Sequence, residues 1–310
     1  MSQLAMPTKI ALIGECMIQL QGSLFGILTQ SWGGDTYNTA VYLRRLLPEQ
    51  FEVHYITGLG DDALSHALQK AWQSQGLKLD SIRIIEDKRP GLYQITTDSS
   101  GERSFHYWRN DAAAKYVFDQ MTAEALADEL GAFGMVYLSG ISLAILTEKG
   151  RATLLDALDI YAEGNGKVVF DNNYRPALWP NKETCQAAYR RILAISHIAL
   201  ITEDDDELLW GRGSSEAIFA DYDCPEVVIK RGSEDCLLCV ENSYSRVPTE
   251  PVKNVVDTTA AGDSFGAGYL FGRLMSMDPA TSAGYGHELA GRVIQHSGAI
   301  IDEVHMPNLS

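Results

Sequence analysis

Continuous apolar runs alternate with amphipathic segments along most of the chain. Such runs are typical of strands buried on both faces, and apolar residues at helical spacing between them predict helices. We therefore expect an α/β fold with a mostly parallel sheet, whose ligands bind at the carboxyl ends of its strands. The predicted strands comprise residues 9–15, 53–57, 134–138, 168–171, 197–201, 227–230 and 253–256.

Capping residues mark several of the predicted helix starts. Thr122 precedes a helix that carries Leu126 and Leu130, and the glycine pair at 33–34 precedes a helix that Asp35 or Thr36 would cap. Residues 58–62 contain a GxG, but the third glycine of a dinucleotide-binding motif is missing. We therefore interpret them as a turn with an acidic helix start. Small residues dominate a predicted helical stretch at 283–301.

One region departs from this helix and strand alternation. Residues 89–109 alternate apolar and polar side chains around a glycine-containing turn, which predicts a β-hairpin. Together with a half-exposed strand at 16–21, it predicts a small β-sheet lid built from about 16–30 and 88–112. Tyr93, Tyr107 and Arg109 would offer aromatic faces and a guanidinium to a polar ligand. The alternative for the tyrosines is simple packing within the small sheet.

Composition and charge narrow the range of partners. The chain has 310 residues and a formal charge of -16, so it lacks the basic face that nucleic-acid binding requires. Residues 1–8 do not resemble a signal peptide, and no apolar run approaches the roughly 18 residues that span a bilayer. We therefore expect a cytoplasmic protein without membrane or nucleic-acid partners.

The cysteines favour the same location. Their number is odd and their spacing irregular: Cys16, Cys185, Cys224, Cys236 and Cys239. Cys236 and Cys239 lie in a strand-like run, where their side chains would point to opposite faces. A zinc site would also need a second pair of ligands. Reduced cysteines in a cytosol are the better interpretation.

The segment Asp257-Thr-Thr-Ala-Ala-Gly-Asp-Ser-Phe-Gly-Ala-Gly carries the strongest candidate chemistry. Small residues at 260–262 permit a tight turn that directs several backbone N–H groups at one point, where a phosphate would bind. Asp263 would follow in the first helical turn. A carboxylate there suits a base that removes a proton from the attacking group. On local sequence alone, Asp263 could equally be a helix cap.

Two other polar sites are weaker candidates. Arg175 follows a predicted strand and is well suited to pair with a carboxylate, although a surface role is common for any arginine. Asp205 lies in a run of five acidic residues, 203–207, which is typical of a solvated helix start. The alternative is a carboxylate that contacts nucleotide-bound Mg²⁺ through water.

The absence of two known phosphate-binding motif sets excludes the families that carry them. The chain has no GxxxxGK[ST] and none of the protein-kinase motifs. The segment 257–263 instead resembles the Asp-Thr-x-Gly-Ala-Gly-Asp signature of the ribokinase-like sugar kinases, the phosphofructokinase-B family. Gly33-Gly-Asp-Thr-Tyr-Asn is similar to that family's N-terminal sugar-binding motif. Residues 101–109 and 171–179 resemble the 2-keto-3-deoxygluconate kinases within it. The resemblance covers essentially the whole chain.

The resemblance implies a single ribokinase-like domain over residues 1–310, a three-layer αβα sandwich with a small β lid. It implies transfer of the ATP γ-phosphoryl group to the 6-hydroxyl of a sugar acid with Mg²⁺, and a homo-oligomer, since lids in this family often pair between subunits. Asp263 would be the base. The amides of Ala261, Gly262 and Asp263, in the turn after Ala260, would form the anion hole.

The same resemblance assigns binding roles. Gly34 and Asn38 would hold substrate hydroxyls, and Arg175 would meet the carboxylate, with Tyr93, Tyr107 and Arg109 closing from the lid. Asp205 would act on Mg²⁺ through water. The residues expected to bind ATP are Lys230, Arg231, Gly232, Ser233, Ala260, Gly262 and His287.

The chain departs from the family pattern at two places. Ala260 replaces the first glycine of Gly-Ala-Gly-Asp, and Thr202 and Asp205 replace the Asn and Glu of an Asn-x-x-Glu motif. A neutral-sugar kinase, such as a fructokinase or ribokinase, remains an alternative. A neutral sugar, however, would not require two guanidinium groups, those of Arg109 and Arg175, near the acceptor site. A non-catalytic sugar-acid sensor is a second alternative, which would not need Asp263. The lack of GxGxxG at a strand–helix junction excludes a nicotinamide enzyme.

Overall fold

The computed structural model describes residues 8–97, 103–213 and 215–309. Its strands are β1 (Lys9–Ile13), β2 (Met17–Gly22), β3 (Leu28–Gly33), β4 (Glu52–Ile56), β5 (Gly58–Leu59), β6 (Arg83–Ile84), β7 (Leu92–Thr97), β8 (Arg103–Trp108), β9 (Met135–Ser139), β10 (Lys167–Asp171), β11 (Ile198–Thr202), β12 (Glu226–Lys230), β13 (Cys236–Val240) and β14 (Ser243–Val247). The large sheet has the order β14-β13-β12-β11-β10-β9-β1-β4, and the small sheet has the order β3-β2-β7-β8.

Helices connect these strands. They are α1 (Asp35–Leu46), α2 (Ala63–Ser74), α3 (Ala123–Leu130), α4 (Gly140–Ile145), α5 (Glu148–Glu163), α6 (Lys182–Ile195), α7 (Glu203–Trp210), α8 (Ser215–Asp221), α9 (Ala261–Leu274) and α10 (Pro279–Val293). Thr122 caps α3 by accepting a bond from the Ala125 N–H, as predicted, and Asp62 caps α2 through two backbone N–H groups. None of these helices is long and apolar enough to cross a membrane.

Helices cover both faces of the large sheet. In β1, Ile10 and Leu12 pack into one hydrophobic core and Ala11 and Ile13 into the other. Strands β4, β1, β9, β10, β11 and β12 pair in parallel, whereas β13 and β14 are antiparallel additions at one edge. The predicted three-layer αβα architecture with a small second sheet is confirmed. Strand β3 extends to Gly33, three residues beyond the predicted boundary of the small sheet.

The two cysteines of strand β13 point to opposite faces of the sheet, as predicted. Cys236 lies in the core on one face of the large sheet and Cys239 in the core on the other. All five cysteines are buried and free.

Two segments differ from the predictions. Residues 253–256 are not a strand: Val255 and Val256 are more than half exposed, and the N–H of Val256 donates to the Ile294 carbonyl beyond α10. Their β-branched pattern favoured a strand, but the segment pairs with the end of α10 instead of a sheet. The predicted helix at 283–301 ends at Val293 and gives way to turns.

The carboxyl ends of the parallel strands lie along one edge of the large sheet. Ser139 ends β9 and pairs with Asp171 at the end of β10, while Thr202 ends β11 and pairs with Lys230 at the end of β12. Ligands of parallel sheets bind at this edge. Polar side chains from four neighbouring strands therefore converge there.

Candidate active site

A cavity of about 740 Å³ opens at this edge, between the large sheet, the small sheet and the start of α9. Its wall contains most of the predicted site residues: Gly34, Asn38, Tyr93, Tyr107, Arg109, Arg175, Asp205, Lys230, Ala260, Ala261, Gly262 and Asp263. Sequence positions that are more than 200 residues apart meet here.

Ala260 shapes the turn before α9. It adopts the left-handed conformation, with φ 61° and ψ 17°, a region in which glycine is normally preferred. The turn therefore keeps the backbone shape of a glycine despite the extra methyl group. The residues that begin α9 line the cavity, where the positive end of the helix favours an anion.

The predicted anion hole differs at one position. The N–H of Ala261 donates to the Thr258 carbonyl at 3.2 Å, and that of Ser264 donates to the Ala260 carbonyl at 2.9 Å. The N–H groups of Gly262 and Asp263 belong to the first turn of the helix, which lacks intrahelical acceptors. These two amides, and not that of Ala261, are the better candidates for an anion.

Asp263 is held by α1. The side-chain amide of Asn38 donates to Asp263 Oδ2 at 2.8 Å, and the Thr39 hydroxyl donates to the Asp263 carbonyl at 3.2 Å. The pKa of Asp263 is raised to about 7: removal from water is the largest cause, the negative charges of Asp35 and then Asp171 act in the same direction, and the bond from Asn38 opposes them. A carboxylate with a pKa near neutrality is suited to accept a proton.

Lys230 lies beside the start of α9. Its Nζ is 2.7 Å from Asp171 Oδ2, and a Cβ added at Gly262 would lie 3.7 Å from that Nζ. Lysine and aspartate are both largely buried, so the pair neutralises charge that would otherwise be costly. Asp171 Oδ1 is buried without a hydrogen-bond partner, and Asp171 lines the cavity.

The start of α1 shows a correction. The N-cap of α1 is Gly34, so neither Asp35 nor Thr36 caps the helix as predicted. A Cβ at Gly34 would lie 2.0 Å from the Glu15 carbonyl, so only glycine lets α1 begin this close to the segment after β1. Asp35 is the first helical residue, and its Oδ2 accepts bonds from Ser139 Oγ and Asn173 Nδ2.

Arg109 lines the cavity, but its guanidinium is already paired. It donates to Glu15 Oε2, and the two side chains are only 9% and 3% exposed. Burial raises the pKa of Glu15, while the charge of Arg109 acts in the opposite direction. Glu15 Oε1 and Arg109 Nε are buried without partners, so the pair keeps unused hydrogen-bonding capacity at the cavity wall.

Arg175 and Asp205, which were predicted to bind different ligands, contact each other. Arg175 Nη1 lies 3.2 Å from both carboxylate oxygens of Asp205. The Arg175 side chain is half exposed, and burial raises the pKa of Asp205 despite this arginine. Binding of a carboxylate by Arg175 would therefore require it to leave or share Asp205.

The aromatic residues of the small sheet stack over the cavity. The ring centroids of Tyr93 and Tyr107 are 5.8 Å apart, with Phe105 next to Tyr107. Tyr93 is buried and donates to Gln19 Oε1 at 2.5 Å, whereas Tyr107 is more than half exposed. Packing within the small sheet therefore accounts for the position of Tyr93, whereas the ring of Tyr107 is more accessible to a ligand.

The predicted ATP residues divide into separate places. Only Lys230 and the start of α9 belong to the cavity wall. Arg231 leaves the cavity to pair with Glu203 and Glu234, and Gly232 and Ser233 form the exposed turn between β12 and β13. His287 lies in a second hollow of about 750 Å³ lined by residues 248–254 and α10, where burial lowers the pKa of its imidazole.

Sequence reasoning missed several cavity residues. No ligand-binding role was predicted for Glu15, Asp35 or Asn173, although each carries a polar group to the wall. The available signal was position: Glu15 follows a buried strand, Asp35 follows the glycine pair, and Asn173 lies two residues before Arg175. Within the described residues, no group of three or more His, Cys, Asp or Glu side chains is arranged to hold a metal ion.

Comparison with known proteins shows the family of this chain. The model of the pfkB family carbohydrate kinases matches residues 7–306. The chain belongs to the pfkB carbohydrate kinase family. It is 47% identical to the 2-dehydro-3-deoxygluconokinase of Dickeya dadantii, over 97% of this chain and 100% of the relative. It is 44% identical to the protein of the same name from Escherichia coli K12, with the same coverage.

Solved structures of pfkB-like kinases share the fold. A putative ribokinase II from E. coli in complex with ATP and Mg²⁺ has a TM-score of 0.81, with 21% identity, over 97% of this chain and 96% of that chain. The confirmed family makes this protein a carbohydrate kinase. Its cavity lies at the carboxyl ends of the parallel strands, where sheets of this kind bind ligands.

Proposed function

We propose that this protein is a 2-keto-3-deoxygluconate kinase, which transfers the γ-phosphoryl group of ATP to the 6-hydroxyl of the sugar acid. The observation that carries the proposal is the contact of Asn38 with Asp263 beside the first turn of α9, in a cavity that also contains two arginines. The names of the relatives with 44–47% identity support the substrate.

Asp263 would accept the proton of the 6-hydroxyl as the oxygen attacks phosphorus. The bond from Asn38 fixes the orientation of the carboxylate, and its pKa near 7 keeps much of it available as a base at neutral pH. The free N–H groups of Gly262 and Asp263 would stabilise charge that develops on the transferring phosphoryl group. Lys230, 2.7 Å from Asp171, adds a positive charge at the same place.

Arg109 and Arg175 would bind the carboxylate of the sugar acid. Each is now paired with an acidic side chain, Glu15 or Asp205, so a substrate carboxylate would replace or share those contacts. Charge-assisted bonds to a guanidinium are among the stronger polar contacts. A neutral sugar would leave both arginines in their present pairs and gain nothing from them.

Mg²⁺ fits the same region, because this ion usually keeps several waters and needs only one or two carboxylates in addition to phosphates. The partnerless Oδ1 of buried Asp171 and the carboxylate of Asp205 on the cavity wall would supply one or two oxygen ligands, directly or through water. The bound ion would neutralise charge on the phosphates of ATP. Asp205 would serve it only after releasing Arg175.

An ATP-dependent phosphorylation screen tests the proposal. The acceptors are 2-keto-3-deoxygluconate, 2-keto-3-deoxygalactonate, fructose and ribose, and the readout is kcat/KM for each. We expect the highest value with 2-keto-3-deoxygluconate. A higher value with fructose or ribose would favour the neutral-sugar alternative, and tight binding of the sugar acid without turnover would favour a sensor.

The small sheet would act as a lid on one domain and as a contact between subunits. Large apolar side chains are exposed on it and on the turn between β2 and β3: Leu24, Phe25, Ile27, Leu28, Trp32, Phe105, Tyr107 and Trp108. Exposed patches of this kind often mark interfaces. We expect a cytoplasmic homo-oligomer, and light scattering after chromatography should detect a monomer when Phe25 and Ile27 are both changed to Asp.

A further inference from the structure

Asp35 is a carboxylate of the cavity wall to which the proposed reaction gives no task. Its Oδ2 accepts bonds from Ser139 Oγ at 2.5 Å and from Asn173 Nδ2 at 2.8 Å. The donors come from the end of β9 and from the loop after β10, so the carboxylate is fixed from two sides. A side chain held this firmly at a ligand cavity is prepared to recognise a particular group.

The position of Asp35 relative to Asp263 follows from α1. Asp35 and Asn38 are three residues apart, so their Cβ atoms are neighbours at about 5–6 Å on one face of the helix. Asn38 contacts Asp263, and the Thr39 hydroxyl lies 3.1 Å from the Asp35 carbonyl and 3.2 Å from that of Asp263. Asp35 therefore lies about one helical turn from the proposed base. Its bond to Asn173 ties it to the segment that carries Arg175.

We propose that Asp35 recognises the 4-hydroxyl group of the sugar acid and thereby determines specificity. The inference rests on the proposed function. Between the carboxylate and the reacting 6-hydroxyl, this substrate has a ketone at C2, a methylene at C3 and hydroxyls only at C4 and C5. The 5-hydroxyl adjoins the 6-hydroxyl and so would lie close to Asp263. The 4-hydroxyl is one carbon further away, which matches an acceptor one helical turn from the base.

The chemistry of Asp35 suits this task. An ionised carboxylate only accepts hydrogen bonds, and a hydroxyl donates one. If the 4-hydroxyl is missing or inverted, the substrate excludes water from Asp35 without providing a donor. Sites that bond a substrate hydroxyl discriminate strongly against analogues that lack it, for this reason.

The experiment combines a change in the substrate with a change in the protein. We compare kcat/KM for 2-keto-3-deoxygluconate and for its 4-deoxy analogue in the wild type, Asp35→Ala and Asp35→Asn. In the wild type we expect the analogue to be worse by about 100-fold. In Asp35→Ala, the natural substrate should lose a similar factor and the two substrates should differ by less than about 3-fold. Asp61→Asn, an exposed change outside the cavity, serves as the control and should keep the wild-type discrimination.

The outcomes separate this inference from the proposed function. A wild-type protein that phosphorylates no sugar acid would overturn the function itself. A wild-type protein that phosphorylates 2-keto-3-deoxygluconate and its 4-deoxy analogue equally well would overturn only the role of Asp35, and that result needs no variant to fold. Undiminished discrimination in a folded Asp35→Ala protein would overturn it as well.

A pH profile provides a readout that a purely structural role would not change. The charge of Asp35 raises the pKa of Asp263, after the larger effect of burial, while Asp171 from β10 acts in the same direction and Lys230 from β12 opposes it. The charge of Arg109 lowers the pKa of Asp35, and the charge of Asp35 raises the pKa of Glu15. Asp35→Asn removes one negative charge, so the acid limb of kcat/KM should move to lower pH. An acid limb that remains at the wild-type pH would contradict the placement of Asp35 about one helical turn from Asp263.

Discussion

The start of α9 and the two arginines line the same cavity but are prepared for ligands in different ways. Asp263 receives a bond from the neutral amide of Asn38, and burial together with the charge of Asp35 raises its pKa to about 7. Arg109 and Arg175, in contrast, each contact a carboxylate of this chain. The proposed base is available before substrate arrives, whereas the arginines must exchange partners. Catalysis and recognition should therefore respond differently to mutation.

Changing Asp263 to Asn should have the largest effect. The shape and the contact region of the side chain remain, but the amide cannot accept a proton, so kcat should fall about 10²- to 10⁴-fold with little change in KM. Steady-state kinetics with saturating ATP measures both values. Asp61→Asn, on the exposed surface, should keep the wild-type rate. A residual kcat above about one tenth of the wild type would show that Asp263 is not the base.

Arg109→Ala should mainly affect stability. Glu15 would remain buried without its cation, and removal of one partner of a buried ion pair typically costs about 3–5 kcal/mol of unfolding free energy. Urea unfolding measures the loss. The matched control is Arg191→Ala, which breaks partly exposed pairs with Asp156 and Asp159 and should cost less than about 1 kcal/mol. Equal losses in the two variants would contradict the contrast between buried and exposed pairs.

Arg175→Ala should mainly affect recognition. Its pair with Asp205 is half exposed, so we expect unfolding to change by less than about 1 kcal/mol. Loss of a charge-assisted bond to the sugar acid should lower kcat/KM about 10- to 100-fold. Arg175→Lys keeps the charge but not the planar guanidinium group, so its kcat/KM should lie between those of the wild type and Arg175→Ala. An unchanged kcat/KM in the alanine variant would remove Arg175 from the binding site.

The sequence was most informative where local patterns determine structure. Buried strand runs and the Thr122 cap were predicted because their signals lie within a few residues. Placement of Asp263 in the first turn of α9 was predicted from the small residues before it. These are properties of one segment and its own backbone, so the large sheet and the first turn of α9 could be expected.

Long-range pairing could not be expected in the same way. Glu15 and Arg109 are 94 residues apart, and Asp35 and Asn173 are 138 residues apart, so no local pattern connects them. The contact of Arg175 with Asp205 links two residues that motif matching had assigned to different ligands. Residues 253–256 show the opposite error: their local pattern predicted a strand, but their backbone bonds to the end of α10 instead of to a sheet.

Changing Ala260 to Gly tests the turn that positions the α9 amides, with the smallest expected effect. Alanine in the left-handed region lowers the free energy of unfolding by about 1–2 kcal/mol. Replacement by glycine would remove this cost, but the greater freedom of glycine in the unfolded chain would offset about 0.4–1 kcal/mol of the gain. We expect a net gain of about 0–1.6 kcal/mol, seen as a slightly higher Tm, with kcat/KM unchanged because the turn keeps its backbone shape. Gly211→Ala is the reverse control, since Gly211 is also left-handed, with φ 69°, and a Cβ there would touch no described atom. It should lower the Tm. A lower Tm in Ala260→Gly would mean that contacts of the Ala260 methyl group outweigh its backbone strain.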